Sequence, residues 1–360
     1  VRRAVVLVLA GLVLALTIAE VALRNQTLVP LDAWENLVAR RSSILHHKYQ
    51  PRDDDAMQSS HGDCQGADPV VLLFLGDSWL ADGVLVSVLA NRIAERCGVC
   101  VTAVNGATQS YSPSLYELKG RLLAARFRPL LAFVNIDSTD PGDEWYRYSF
   151  AKLREPGTGR LLAVPFERDP YAIKMAERLR RYQGSASYVV RLIGRWLHDR
   201  YVLPSLGRDD LGDQEAWTLL GPLASPDARR THPQVVAEFD AAVRELFAEL
   251  GHTLGAGRVF AFFHPHRKAM FPDAAGERYS ALVPEVVAGA AREAGVTFVD
   301  ASPDLRAIHG ADLEHAWVDG DAFSHLARPG LLRYAHYAIG RVEADVCAQI
   351  DAARAAAPSD

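Results

Sequence analysis

The sequence predicts an α/β chain built on a parallel sheet of about five strands, and three observations point there. Short, continuously apolar runs recur along it, as in strands buried on both faces. Stretches with helical spacing of apolar residues separate them. The connections are short and punctuated by Gly, Pro, Asn and Asp, which favours right-handed βαβ crossovers.

Taken in order, Val70–Leu75 ("VVLLFL") reads as the first strand, and Val84–Arg96 carries a helical stripe. Val99–Gly106 reads as the second strand. Ser112–Phe127 opens with Ser-Pro, a helix start signal, and Pro129–Asp137 is the third strand. The alternation breaks at Ser138 and resumes near Gln234. Between them, about 141–232, helical spacing separated by Pro- and Gly-containing loops predicts a helical insertion or cap. A helix at Pro233–Leu250, a strand at Arg258–His264, a helix near Tyr279–Ala294, a strand at Val296–Asp300 and a closing helix from Leu331 complete the chain. This pattern is that of a flavodoxin-like three-layer sandwich.

At the amino terminus, Ala4–Leu23 is almost wholly apolar after Arg2 and Arg3, with Glu20 its one acid. At ~1.5 Å per residue such a segment just spans a bilayer core of ~30 Å. Residues 1–24 are therefore expected to form a transmembrane signal anchor, residues 25–69 a stalk, and residues 70–360 the folded domain. The bulk of the chain would then lie outside the cytoplasm. Cys64, Cys97, Cys100 and Cys347 suit such a compartment. Four cysteines allow three full pairings, and a structural bridge between Cys64 and one of the "CGVC" pair is expected. No second cysteine pair is present to complete a zinc site.

With 360 residues, 49% hydrophobic and 23% charged, the chain is long enough for one large domain with an insertion, and disordered and fibrous classes are excluded. A formal charge of -5 without a basic stripe gives no pull toward nucleic acid. A small molecule or a glycan is the expected partner.

Chemistry is expected where strands end. "LGDSW" (Leu75–Trp79) places Ser78 between a strand and a helix, where it is either a nucleophile or a helix cap. A nucleophilic serine needs a base, an orienting acid and oxyanion donors. His325 precedes the last helix, with Asp319 and Asp321 upstream, and Gly106 ends the second strand. The acids Asp137, Asp140, Asp143 and Glu144 read as a cation site or, more simply, as a loop that meets solvent or arginines. His264 and His266 end a strand as rim or loop residues.

"GDSW", then "NGA" (Asn105–Ala107), then an Asp-and-His loop before the carboxyl-terminal helix resemble the SGNH (GDSL-type) hydrolase superfamily. The resemblance covers about Val70–Glu144 and Gly257–Ala357. It implies the flavodoxin-like fold, Ser78 as nucleophile, the amides of Ser78 and Gly106 as oxyanion donors, His325 as base and no cofactor. The family's usual Asp position, three before the His, holds Ala322, so Asp321 is the expected acid. The family's Gly-x-Asn-Asp block is replaced by "NIDSTD". Asp77, Asn105, Asn135, Asp137, Asp140, His264 and Asp319 are further candidates for substrate contact or support. The layout also looks like a membrane-anchored bacterial subgroup similar to the alginate O-acetyltransferase group. That implies an extracytoplasmic esterase or O-acyltransferase for glycan acyl groups, with a membrane-bound acyl donor as partner. The competing expectation is an inactive module that keeps the fold to bind a glycan or a membrane partner.

Overall fold

The computed structural model describes residues 11, 13–21, 42–45, 56–65, 68–168, 189–190, 228–267, 282–319 and 325–356. Strands β1 (Met57–His61), β2 (Val70–Leu75), β3 (Val101–Asn105), β4 (Leu131–Ile136), β7 (Val259–Phe263) and β8 (Thr297–Asp300) form one sheet in the order β1-β3-β2-β4-β7-β8. All neighbours pair parallel except β1, which runs antiparallel to β3. The parallel strands thus follow the 2-1-3-4-5 order of flavodoxin-like sheets, whose switch point lies beside β2. The remaining pair, β5 (Leu153–Arg154) and β6 (Leu161–Ala163), makes a small separate hairpin.

Period-two alternation divides the core between the two faces of the sheet. Leu72, Phe74 and Phe133 face α2 (Val84–Cys97) and α6 (Arg328–Ala356), while Leu73, Leu75 and Val134 face α3 (Pro113–Phe127), α4 (Pro233–Leu254) and α5 (Leu282–Ala294). Phe133 stacks between Phe74 and Phe260, with ring centroids 5.0 and 5.4 Å away, and full burial of such a side chain contributes about 1.5–3 kcal/mol. Gly106 lies where a Cβ would press on Leu123 of α3, so the missing side chain lets that helix seat against the sheet.

Two features depart from the sequence reading. Met57–His61, within the expected stalk, is an edge strand of the sheet, registered from Met57 opposite Asn105 to His61 opposite Val101. "MQSSH" has no apolar run, so its strand arises from pairing with β3 alone. The start of the expected helical insertion holds the β5–β6 hairpin and a π-helical turn at Glu144–Tyr148, while residues 169–188 and 191–227 lie outside the described residues. Most of the expected anchor also lies outside them; residues 13–21 are helical, and no helix among the described residues is long and apolar enough to cross a membrane.

The cysteines pair as Cys64–Cys100 and Cys97–Cys347, so the two members of "CGVC" enter different bridges. One bridge pins the segment after β1 beside β3, and the other joins the last residue of α2 to Cys347 within α6. Closing loops with sequence separations of 36 and 250 residues contributes roughly 4 and 5.5 kcal/mol respectively on chain-entropy grounds.

Candidate active site

The chain leaves β2 through Gly76, whose missing side chain makes room for Leu80 of α1 (Ser78–Ala81). Asp77, not Ser78, caps that short helix: its Oδ1 accepts the Trp79 backbone N–H at 3.1 Å. Ser78 is thereby released from capping and half-buried, with its side chain at the carboxyl edge of the parallel strands. Its Oγ lies 2.7 Å from His325 Nε2 and 3.1 Å from Asp77 Oδ2.

His325 is held by its backbone. The bridge Trp317–Leu326 closes the loop that carries it, and its carbonyl accepts the Val318 N–H at 2.9 Å. The start of α6 packs so tightly here that a Cβ on Gly330 would strike the Ala316 carbonyl oxygen. Asp321 lies outside the described residues, and Asp319 is exposed.

The oxyanion donors differ from expectation. The Gly106 N–H donates to the Phe74 carbonyl at 2.8 Å, because the parallel ladder between β2 and β3 runs one residue past the strand. It is therefore not available to a substrate. The next two amides are also engaged, Ala107 with Asn105 Oδ1 at 3.0 Å and Thr108 with the Gly76 carbonyl at 3.1 Å. Asn105 itself donates to the Leu80 carbonyl at 2.8 Å and so serves to seat α1. The Ser78 N–H, in the first turn of α1, has no partner among the described residues. Asn135 is buried and its Oδ1 accepts from Tyr334 at 3.2 Å; its Nδ2 has no hydrogen-bond partner among the described residues.

The acids beyond β4 separate into two groups. Asp137 and Asp140 are buried: Asp137 Oδ1 accepts from the Thr139 N–H at 2.5 Å, the Thr139 hydroxyl at 2.6 Å and the Asp140 N–H at 3.2 Å, and Asp140 accepts from Tyr116 at 2.9 Å. Burial, and after it the Asp137 charge, pushes the carboxyls of Asp77 and Asp140 well above the ordinary range. Asp143 and Glu144 instead meet cations. Asp143 pairs with Arg147 at 3.1 Å, and Glu144 with Lys152 at 2.5 Å while accepting from Ser112 and Ser114. Those partners hold them in ion pairs within the fold.

His264 is a core residue and not a rim residue. Its ring packs against Tyr334 at 4.9 Å, Trp79 at 5.3 Å and Trp317 at 5.8 Å. Nδ1 lies 2.9 Å from the Pro265 carbonyl and must donate to it, which leaves Nε2 to accept from His309 Nε2 at 3.1 Å. Burial, then the neighbouring His309, lowers its pKa to about 3; burial, then Arg333, lowers that of His309 to about 4. His266 is buried too, and its N–H donates to Ser138 Oγ at 3.3 Å. His309 and Tyr116 carry no local sequence signal, because each acquires its role only through a partner distant in the chain.

A cleft of about 430 Å³ is lined by Met57, Ser59, Val84, Asn105, Arg328 and Leu332 among others, from β1, the end of β3 and the starts of α2 and α6; neither Ser78 nor His325 lines it.

No family model and no curated protein matches the sequence. Among solved structures, the chain is similar to a lipase/acylhydrolase from Enterococcus faecalis, with a TM-score of 0.37 and 10% identity over 76% of this chain and 95% of that chain. A likeness of that degree assigns neither an activity nor a substrate here. The site itself defines a class of arrangement, a serine–histidine pair at the carboxyl edge of a doubly wound sheet.

Proposed function

We propose that this chain is a serine-dependent esterase or O-acyltransferase of the SGNH type. The observation that carries the reading is the 2.7 Å contact between Ser78 Oγ and His325 Nε2. In the first half-reaction Ser78 Oγ bonds to the ester carbonyl carbon as its proton passes to Nε2, and the carbonyl π pair moves to oxygen. The Ser78 N–H meets that oxyanion. Collapse expels the alkoxide, which takes the proton from His325 and leaves acyl-Ser78. Water or a sugar hydroxyl then attacks, its proton returning through His325 to Ser78 as the acid or the new ester departs. Asp321 is the proposed orienting acid.

The likeness of the sequence layout to the alginate O-acetyltransferase group supports an acylated glycan as substrate. Two disulfides and the apolar Ala4–Leu23 segment support a membrane-anchored place outside the cytoplasm, with an acyl donor in the same membrane. One observation favours a non-catalytic binding module instead: the engaged Gly106 amide removes a donor whose equivalent elsewhere is worth ~10²–10³ in rate. Turnover of p-nitrophenyl acetate by the full chain separates the two. Hydrolysis that disappears in Ser78→Ala supports the enzyme; equal rates in both proteins support the binding module.

A further inference from the structure

Ser78 and His325 come from distant parts of the chain, and each has a tryptophan at its side. Trp79 follows Ser78 directly in α1. Trp317 bridges Leu326, the residue after His325, and the neighbouring Val318 N–H donates to the His325 carbonyl at 2.9 Å. Both indoles pack on one ring. His264, just past the end of β7, has its centroid 5.3 Å from that of Trp79 and 5.8 Å from that of Trp317. Tyr334 of α6 closes a third side at 4.9 Å, and its hydroxyl is tied to Asn135 of β4.

A ring in that place sets the spacing of the pair only if its own orientation is fixed. Two hydrogen bonds, one at each ring nitrogen, fix it. Nδ1–H donates to the Pro265 carbonyl at 2.9 Å, and Nε2 accepts from His309 Nε2–H at 3.1 Å. His309 ends the short helix Leu305–His309, and its ring lies 6.0 Å from Trp317. Trp79, Trp317 and Tyr334 meet His264 at interplanar angles of 41°, 66° and 76°, tilted and edge-on contacts that depend on how the ring is turned. A phenylalanine would fill a similar volume with neither bond, and it would leave the buried His309 N–H without its acceptor. Bulk alone does not call for a histidine here.

We propose that His264 is a positioning residue for the Ser78–His325 pair: its ring, oriented by His309, sets the distance between the segment that carries the nucleophile and the loop that carries the base. This rests on the reading of Ser78 as nucleophile. The role needs no contact with substrate, since a misplacement of ~1 Å within a reacting pair is enough to cost about 10²-fold in rate.

The test is a double-mutant cycle on the full chain, read as the rate of fluorophosphonate labelling at Ser78, with the folded fraction of each variant measured by urea unfolding. His264→Phe should slow the labelling of folded protein by about tenfold to a hundredfold. In the His325→Asn background, where no base remains to be positioned, the same substitution should change the rate by no more than about twofold. Val342→Ala, a truncation on α6 in the same core cluster, should lose stability and keep the wild-type labelling rate. His309→Leu removes the orienting bond and should slow labelling by about tenfold. His309→Gln, whose side-chain amide restores an N–H donor, should recover it to within about threefold of wild type. The two His309 variants decide the matter if His264→Phe does not fold. Wild-type labelling in folded His264→Phe overturns the proposal, as does a loss of the same size with and without His325. So do Val342→Ala as slow as His264→Phe, and His309→Gln no faster than His309→Leu. A wild type that is never labelled instead contradicts the nucleophile reading.

Discussion

Ser78 and His325 stand 247 positions apart in sequence, yet their side chains meet at 2.7 Å. Three local devices produce the contact: Asp77 takes over the helix cap, the Trp317–Leu326 bridge closes the histidine loop, and the tight packing of Gly330 on Ala316 seats that loop on the fold. Each can be disturbed separately.

Replacing His325 by Asn removes the acceptor of the Ser78 proton while the backbone bond from Val318 remains. Ester hydrolysis should fall by about 10²–10⁴, the usual worth of a positioned base, with the unfolding midpoint unchanged. Steady-state rates and urea titrations of the same preparation check both halves.

Gly330→Ala should act at a distance. The new methyl strikes the Ala316 backbone, and neither chain segment can yield without moving the loop that ends at His325. A loss of about 1–3 kcal/mol in stability is expected, together with slower labelling of Ser78. Normal labelling in a destabilised variant would show that the loop absorbs the shift elsewhere.

The buried histidine pair predicts an acid limb in stability. The folded-state pKa values of His264 and His309 lie below the ordinary 6.5, so their contribution is complete above that value and is lost as pH falls toward about 3–4. At pH 5 the loss for His264 is about 2 kcal/mol, at ~1.4 kcal/mol for each unit below its unfolded pKa. Urea unfolding at pH 7 and pH 5 measures it, and His264→Gln should flatten the difference.

Glu117 predicts the opposite slope. Burial, then the nearby Glu245, raises its carboxyl to about 7, and its Oε2 has no hydrogen-bond partner although Arg121 lies 3.5 Å from Oε1. A raised folded pKa favours the native state below the unfolded value of 4.5, and that advantage is lost as pH rises to about 7. Glu117→Gln should therefore stabilise the chain at pH 8, by about 1–2 kcal/mol once the partial compensation by Arg121 is discounted. A destabilised Gln variant at that pH would contradict the charge assignment.

The parallel sheet was legible because its strands are buried on both faces and so carry continuous apolar runs; Val70–Leu75 reads the same in sequence and structure. Met57–His61 was not, since an edge strand with exposed Gln58, Ser59 and Ser60 has no such signature. The approach of Ser78 and His325 followed from their places at strand and loop ends. The fate of the Gly106 amide did not, because a hydrogen bond one residue beyond a strand depends on register and not on residue type. His264 was misread for a related reason: its exposure is set by Trp79, Trp317 and Tyr334, which reach it from other elements.

The most direct measurement is the site of covalent modification by a fluorophosphonate, read by peptide mass spectrometry on the full chain. The account predicts one adduct, on Ser78, abolished by Ser78→Ala and slowed by about 10² or more in His325→Asn. An unmodified Ser78, or equal modification with and without His325, would contradict it.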